Sequence, residues 1–230
     1  WQPKKIEAFA GQRVITVSAG AARILAITAD GAVWSWGLGT SGQLGHGPVT
    51  ALALPKRVEG LAGQLVIAVS AGYGHALAIT ADGAVWSWGD AVAGQLGHGG
   101  MESRLLPSKI EALEGRRVVA VSAGGGHSLA LTVDGAVYSW GTGPLGRIGR
   151  AAAFTRHSVL ASVHGTLSSQ LLPERVEALA GRGVVAVSAG ALHSLALAAD
   201  GSVWGWGEGA NYRLGHGENC AHALPVRVVK

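Results

Sequence analysis

The sequence predicts an all-β fold, a β-propeller of four-stranded blades, from three observations. The first is internal repetition, which has to be sought before any motif. Ser-Ala-Gly recurs at Ser18–Gly20, Ser70–Gly72, Ser122–Gly124 and Ser188–Gly190, and an aromatic-X-Trp-Gly run follows each copy, at Trp34–Gly37, Trp86–Gly89, Tyr138–Gly141 and Trp204–Gly207. Prolines keep the same beat at Pro3, Pro55, Pro107, Pro173 and Pro225, with steps of 52, 52, 66 and 52 residues, so the third unit carries 14 surplus residues. The second is an Asp-Gly pair inside every unit, at Asp30-Gly31, Asp82-Gly83, Asp134-Gly135 and Asp200-Gly201. Asp-Gly between apolar runs is a hairpin signal, because glycine takes positive φ without steric cost. The third is composition: 37 glycines in 230 residues is roughly twice the usual share of about 7%, without the three-residue period of collagen.

Within one unit the elements follow in order. Val14–Ser18 has the β-branched content of a strand, and the small pair Ala19-Gly20 ends it. Ile24–Thr28 is a second apolar run, Ala29-Asp30-Gly31 turns the chain, and Val33–Trp36 is a third strand. A weaker fourth segment follows each proline, as in Pro55–Val58. Four short strands with no stretch of helical periodicity describe a propeller blade; no segment stands out as a helix. The repeats run approximately over 3–54, 55–106, 107–172 with an insertion at 150–165, and 173–224, with a fifth beginning at 225. The chain opens inside a repeat and closes on a fifth proline-led segment. The expectation is four blades plus one extra strand, part of a seven-bladed ring in a larger protein.

The aromatic pairs are expected to pack the blades. Trp34 and Trp36, Trp86 and Trp88, Tyr138 and Trp140, and Trp204 and Trp206 each stand two residues apart and so share one face of a strand. A carbohydrate or methyl-lysine site is the alternative for such a stripe, but an aromatic cage needs several rings to converge. His75, His127 and His193 each follow the Ser-Ala-Gly serine by five residues, with Arg23 in that place in the first unit. They read as structural residues tying down a glycine-rich turn. His46, His98 and His216 lie in Leu-Gly-His-Gly loops. A metal site needs three or four converging ligands, and no compact Cys/His spacing announces one, so no metal is expected.

Composition excludes several classes. There is no nucleophile elbow, no Gly-x-Gly-x-x-Gly between strand and helix and no Walker A loop, so neither an enzyme nor a cofactor is expected. Cys220 is alone and forms no intrachain disulfide. No 18-residue apolar run marks a membrane span, and no targeting stretch opens the sequence, which suggests an intracellular protein of cytoplasm or nucleus. A net charge of +4 is mild and dispersed. It permits an acidic partner without pointing to nucleic acid or chromatin.

Val118–Thr132, the following Asp134–Gly141, and Gly42–Gly47 with its copy at Gly94–Gly99 resemble the regulator-of-chromosome-condensation repeat. The resemblance covers residues 1–149 and 166–230. It implies a seven-bladed propeller, and it implies a function of one of several kinds on a shared scaffold. The founding member is a guanine-nucleotide exchange factor for the small GTPase Ran that also contacts the nucleosome; others are modules of ubiquitin ligases, trafficking regulators, or plant ultraviolet-B photoreceptors. The photoreceptors carry Gly-Trp-Arg-His-Thr at the turn into the second strand, where this chain has Gly72–Ala76, Gly124–Ser128 and Gly190–Ser194 without any Trp. The expected function is therefore a protein-binding or scaffold module, with exchange on a Ran-like GTPase as the alternative and photoreception behind both.

The one irregularity lies in the third unit, where Leu145-Gly146-Arg147-Ile148-Gly149 stands for the expected Leu-Gly-His-Gly and an extension runs to Gly165. Arg147, Arg150, Phe154, Arg156, His157 and His164 make it a basic loop with an aromatic and no acid. On a rigid blade such a loop is a candidate contact site for an acidic protein surface, such as that of a small GTPase. The alternative is a neutral insertion, tolerated because loop-closure entropy grows slowly with length.

Overall fold

A computed structural model describes residues 2–143, 146–149 and 169–228. Sixteen strands form four antiparallel four-stranded sheets among these residues. The first sheet is β1 (Val14–Ala19), β2 (Arg23–Thr28), β3 (Val33–Leu38) and β4 (Ala51–Arg57). The second is β5 (Val66–Ala71), β6 (His75–Thr80), β7 (Val85–Gly89) and β8 (Arg104–Lys109). The third is β9 (Val118–Ala123), β10 (His127–Thr132), β11 (Val137–Gly141) and β12 (Gln170–Arg175), and the fourth is β13 (Val184–Ala189), β14 (His193–Ala198), β15 (Val203–Gly207) and β16 (His222–Arg227). Each is a meander in sequence order. The Asp-Gly pairs turn the second strand into the third, and the aspartate carboxylate anchors the hairpin: Thr80 Oγ1 donates to Asp82 at 2.5 Å, as Thr28 does to Asp30 at 2.6 Å.

Apolar cores fill the three joints between successive sheets. Leu25, Ile27, Val58, Leu61, Ala76 and Trp88 close the first; Leu77, Ile79, Ile110, Leu113 and Trp140 close the second; Leu129, Leu131, Val176, Leu179 and Trp206 close the third. Strands with a sheet on either side are buried along their whole length, as β6 and β10 are, which is why their centres, Ala76–Ile79 and Leu129–Leu131, read as apolar runs without alternation. The innermost strands β1, β5, β9 and β13 stand side by side. These are blade-like units in propeller-like succession, without closure of the first sheet onto the fourth among the described residues.

Two expectations are corrected. The proline-led segments at Pro55, Pro107, Pro173 and Pro225 are the outer strands of the four sheets, and the segment at Pro3 is not a strand, so no surplus strand is present among the described residues. A strand needs a neighbour for its hydrogen bonds, and the segment at Pro3 pairs with none of the four sheets. Short 3-10 turns also occur, at Glu7–Phe9, Glu59–Leu61, Glu111–Leu113, Glu177–Leu179 and Ala210–Tyr212. The first four share a Glu-x-(Leu/Phe) signature and three of them push a leucine into a joint, a role that hydrophobic periodicity over a single turn does not reveal.

Candidate protein-recognition face

The meander places the β1–β2 turn and the β3–β4 loop of each sheet at one end and the Asp-Gly hairpin at the other. The loop end is positioned by the joints, and His75, His127, Trp88, Trp140 and Trp206 belong to those joints. His75 and His127 are fully buried. His75 Nε2 lies 2.8 Å from Ser128 Oγ and His127 Nε2 lies 2.9 Å from Ser194 Oγ, each one sheet further along. Each serine hydroxyl already donates to a carbonyl, Ser128 to Gln95 and Ser194 to Arg147, both at 2.8 Å. The hydroxyl oxygen must therefore accept, and the histidine Nε2–H donates. Burial, reinforced by the Arg23 charge and the neighbouring His127 ring, pushes the His75 pKa down to about 3; burial beside Arg147 and His193 does the same to His127. Both are neutral struts at physiological pH.

The first joint lacks this pair, since Ala76 replaces the serine. Arg23 takes over and donates to the carbonyls of Tyr73 at 2.8 Å, Gly72 at 2.9 Å and His75 at 2.7 Å. The side-chain change on one sheet matches the missing hydroxyl on the next. His193, half-buried on the fourth sheet, is the remaining member of this set. A second tie repeats at every joint: the Ser-Ala-Gly hydroxyls of Ser18, Ser70 and Ser122 accept from the backbone N–H of Ala71, Ala123 and Ala189.

Of each aromatic pair, the second ring is the plug. Trp88, Trp140 and Trp206 are fully buried, and their Nε1–H groups donate to the carbonyls of Gln43, Gln95 and Arg147 in the loop of the preceding sheet. Trp36 is half-buried and instead lies 5.9 Å from Phe9. The first rings, Trp34, Trp86, Tyr138 and Trp204, sit opposite Arg57, Lys109, Arg175 and Arg227 of the outer strands. In addition, Arg116 stacks over Tyr138 and Arg182 over Trp204. His46 and His98 bond Ser35 and Ser87 within their own sheets, both at 2.9 Å.

These anchors shift the register of the third unit. Ser139 donates to the Ile148 carbonyl as Ser35 does to Leu44 and Ser87 to Leu96. Gly146-Arg147-Ile148-Gly149 thus occupies the place of Gly42-Gln43-Leu44-Gly45. Arg147 is 9% exposed, and burial lowers its guanidinium pKa while Glu208 opposes the shift. Its backbone carbonyl holds both Ser194 and Trp206. Arg150, Phe154, Arg156, His157 and His164 lie outside the described residues.

The loop end exposes large side chains on a rigid base. Tyr73 is 61%, Val92 70% and Tyr212 64% exposed. Tyr212 also marks a departure of the fourth sheet. It aligns with Gly42, Gly94 and Gly146, all at positive φ and all placed so that a Cβ would strike the next sheet, at Gly42 coming within 2.6 Å of Leu105 Cα. Tyr212 holds the same left-handed conformation, φ 59°, with a full side chain, so the fourth sheet does not present the same joint surface as the other three. Sequence reading did not register this position, although the loss of the repeat glycine is visible there. It also took His216 and Cys220 separately and passed over Glu218 and His222, so the alternation of the four from the β15–β16 loop into the start of β16 went unread.

Comparison with known proteins places this architecture. A family model described as the RCC1-like domain matches residues 1–230. The chain is 40% identical to the human E3 ubiquitin-protein ligase HERC2 over 100% of its own length and 4% of that protein. It is 36% identical to the ultraviolet-B receptor UVR8 of Arabidopsis thaliana, covering 97% of this chain and 48% of the receptor. The crystal structure of Prp20p from Saccharomyces cerevisiae, described with its binding to Gsp1p and histones, superposes with a TM-score of 0.84 at 26% identity, covering 99% of this chain and 53% of that one. The chain thus spans a small part to about half of these relatives. No helix among the described residues is long and apolar enough to cross a membrane. With its repeated sheets, its joints and a family match along its entire length, the chain belongs to the RCC1-like domain family.

Proposed function

We propose that the chain is a protein-recognition module of a larger polypeptide, that its partner is a small GTPase of the Ran class, and that the complete protein promotes nucleotide exchange on that partner inside the cell. The observation that carries this reading is the similarity to Prp20p over 99% of the chain, a protein described as binding Gsp1p. The loop end supplies a suitable surface, because exposed Tyr73 and Val92 stand on buried joints that resist deformation. The surplus residues between β11 and β12, with Arg150, Phe154, Arg156, His157 and His164, would supply a basic contact loop for an acidic partner. The four sheets would be part of a seven-bladed ring; Prp20p is about twice as long as the stretch matched here. Tyr212 means that the sheet following the fourth would meet a surface unlike the three internal joints.

A second reading, a substrate- or regulator-binding module within a ubiquitin ligase, is favoured by the 40% identity to HERC2. Photoreception is disfavoured despite the likeness to UVR8, since Tyr73, Gly125 and Ala191 stand where the photoreceptor motif carries Trp. The discriminating experiment is release of a fluorescent GDP analogue from a panel of small GTPases in the presence of the complete protein. Acceleration on a Ran-class member supports exchange. No acceleration on any member overturns it and leaves the ligase-module reading.

A further inference from the structure

The β15–β16 loop differs from its counterparts in the residues it brings together. Glu218, Cys220 and His222 place a carboxylate oxygen, a thiol and an imidazole nitrogen all within 4.8 Å of one another. Cys220 Sγ lies 3.1 Å from Glu218 Oε2 and 3.9 Å from His222 Nε2. In a tetrahedral zinc site, with bonds of about 2.0–2.3 Å, neighbouring donor atoms sit roughly 3.3–3.7 Å apart. The three atoms therefore need only rotamer-scale adjustment to surround one ion. The positions matching His222 across from the strand glycine are Leu52, Arg104 and Gln170, none of them a metal donor of this kind.

The His216 ring lies against His222, outside that group of three donor atoms, for a reason that is also specific to this sheet. In the first two sheets the loop histidine bonds a serine, but the fourth has Gly205 at that position. His216 turns instead to the Val226 carbonyl, 2.9 Å from Nε2. A carbonyl only accepts, so Nε2 carries the proton and Nδ1 keeps its lone pair. That Nδ1 is buried with no hydrogen-bond partner, and the His216 ring is 4.8 Å from the His222 ring, nearly perpendicular to it. A ligand imidazole whose other N–H is held by a backbone carbonyl is the usual outer-shell arrangement around zinc.

We propose that His216, Glu218, Cys220 and His222 form a zinc-binding site that pins the β15–β16 loop to the start of β16. A thiolate, two imidazoles and a carboxylate suit zinc rather than magnesium or calcium, which select oxygen donors. Thiolate and carboxylate together neutralise the dication. The proposal is independent of the GTPase reading, since it concerns the loop's own residues.

The test uses the whole 230-residue chain, freed of metal with a chelator and titrated with Co2+ and then Zn2+ as the only added ligands. The expected result is one equivalent of Co2+ with a thiolate-to-cobalt charge-transfer band, displaced by Zn2+ at micromolar concentration or below. Cys220→Ser abolishes the band, and His222→Ala, Glu218→Gln and His216→Ala each weaken Zn2+ binding by about 10-fold or more. Absence of the band, Zn2+ affinity no tighter than millimolar, or unchanged affinity in any of the four variants overturns the assignment. Because Cys220 is the sole cysteine, its alkylation rate in the unmutated chain is a second readout that does not depend on a variant folding. Zn2+ slows it at least 10-fold if the site exists, and an unaltered rate overturns the proposal.

Discussion

Arg23→His combined with Ala76→Ser exchanges the first joint for the chemistry of the other two. Arg23 is 2% exposed and donates three hydrogen bonds to main-chain carbonyls of the second sheet. Burial lowers its pKa to about 10, so it remains charged at neutral pH. Arg23→His alone removes these charge-assisted bonds and faces the new imidazole with a methyl group, at a cost of about 2–4 kcal/mol. Ala76→Ser alone puts a hydroxyl into a fully buried position, where it finds the Gln43 carbonyl as Ser128 finds Gln95, so its cost stays within about 1 kcal/mol. Together the two recreate the Nε2–H donor to Oγ seen between His75 and Ser128, recovering about 1–2 kcal/mol relative to the sum of the single changes. Urea unfolding of the four chains at pH 7 measures the cycle. A coupling energy below about 0.5 kcal/mol would refute the idea that the side chain after each Ser-Ala-Gly turn is matched to the next sheet's hydroxyl.

Other consequences follow from the same joints. Trp88→Ala empties a fully buried site and forfeits the bond to Gln43, costing about 3–5 kcal/mol; Trp36→Ala, on a half-buried ring, costs clearly less, and equal losses in urea unfolding would contradict the plug assignment. The His75 and His127 pKa values, both about 3, lie below the value of about 6.5 in an unfolded chain. The unfolded chain therefore takes up protons that the folded one refuses, so their contribution is whole above pH ~6.5 and is lost as pH falls toward 3, by up to about 1.4 kcal/mol per pH unit for each. Unfolding at pH 7 and pH 5 should show the drop, His75→Gln and His127→Gln should flatten it, and a pH-independent midpoint would be the contrary result. In the contact loop, Arg150→Ala with Arg156→Ala should weaken partner binding by about 10-fold without changing the circular-dichroism spectrum; unchanged affinity would make the insertion neutral.

The propeller-like architecture was legible because its signals are local: period-two strands, Asp-Gly turns and a fixed spacing of aromatic pairs. The pairing of sheets was not, since His75 and Ser128 are 53 residues apart and His127 and Ser194 are 67 apart, and each reads alone as a polar residue near a turn. The third-unit register was misjudged because Arg147 and Ile148 share no side-chain chemistry with the histidine and glycine they were matched to. Only the main-chain bonds to Ser194, Trp206 and Ser139 locate them. Tyr212 and the His216–His222 alternation escaped notice because they sit where the period is intact in length and altered only in content.

The central functional claim is tested most directly by the affinity of the complete protein for one Ran-class GTPase in two states, nucleotide-free and GDP-bound. Exchange requires, by linkage, that the factor and the nucleotide oppose one another's binding. The expected result is at least ~100-fold tighter binding to the nucleotide-free form, a coupling of about 2.7 kcal/mol. Equal affinity for the two forms, or no binding to either, would contradict it.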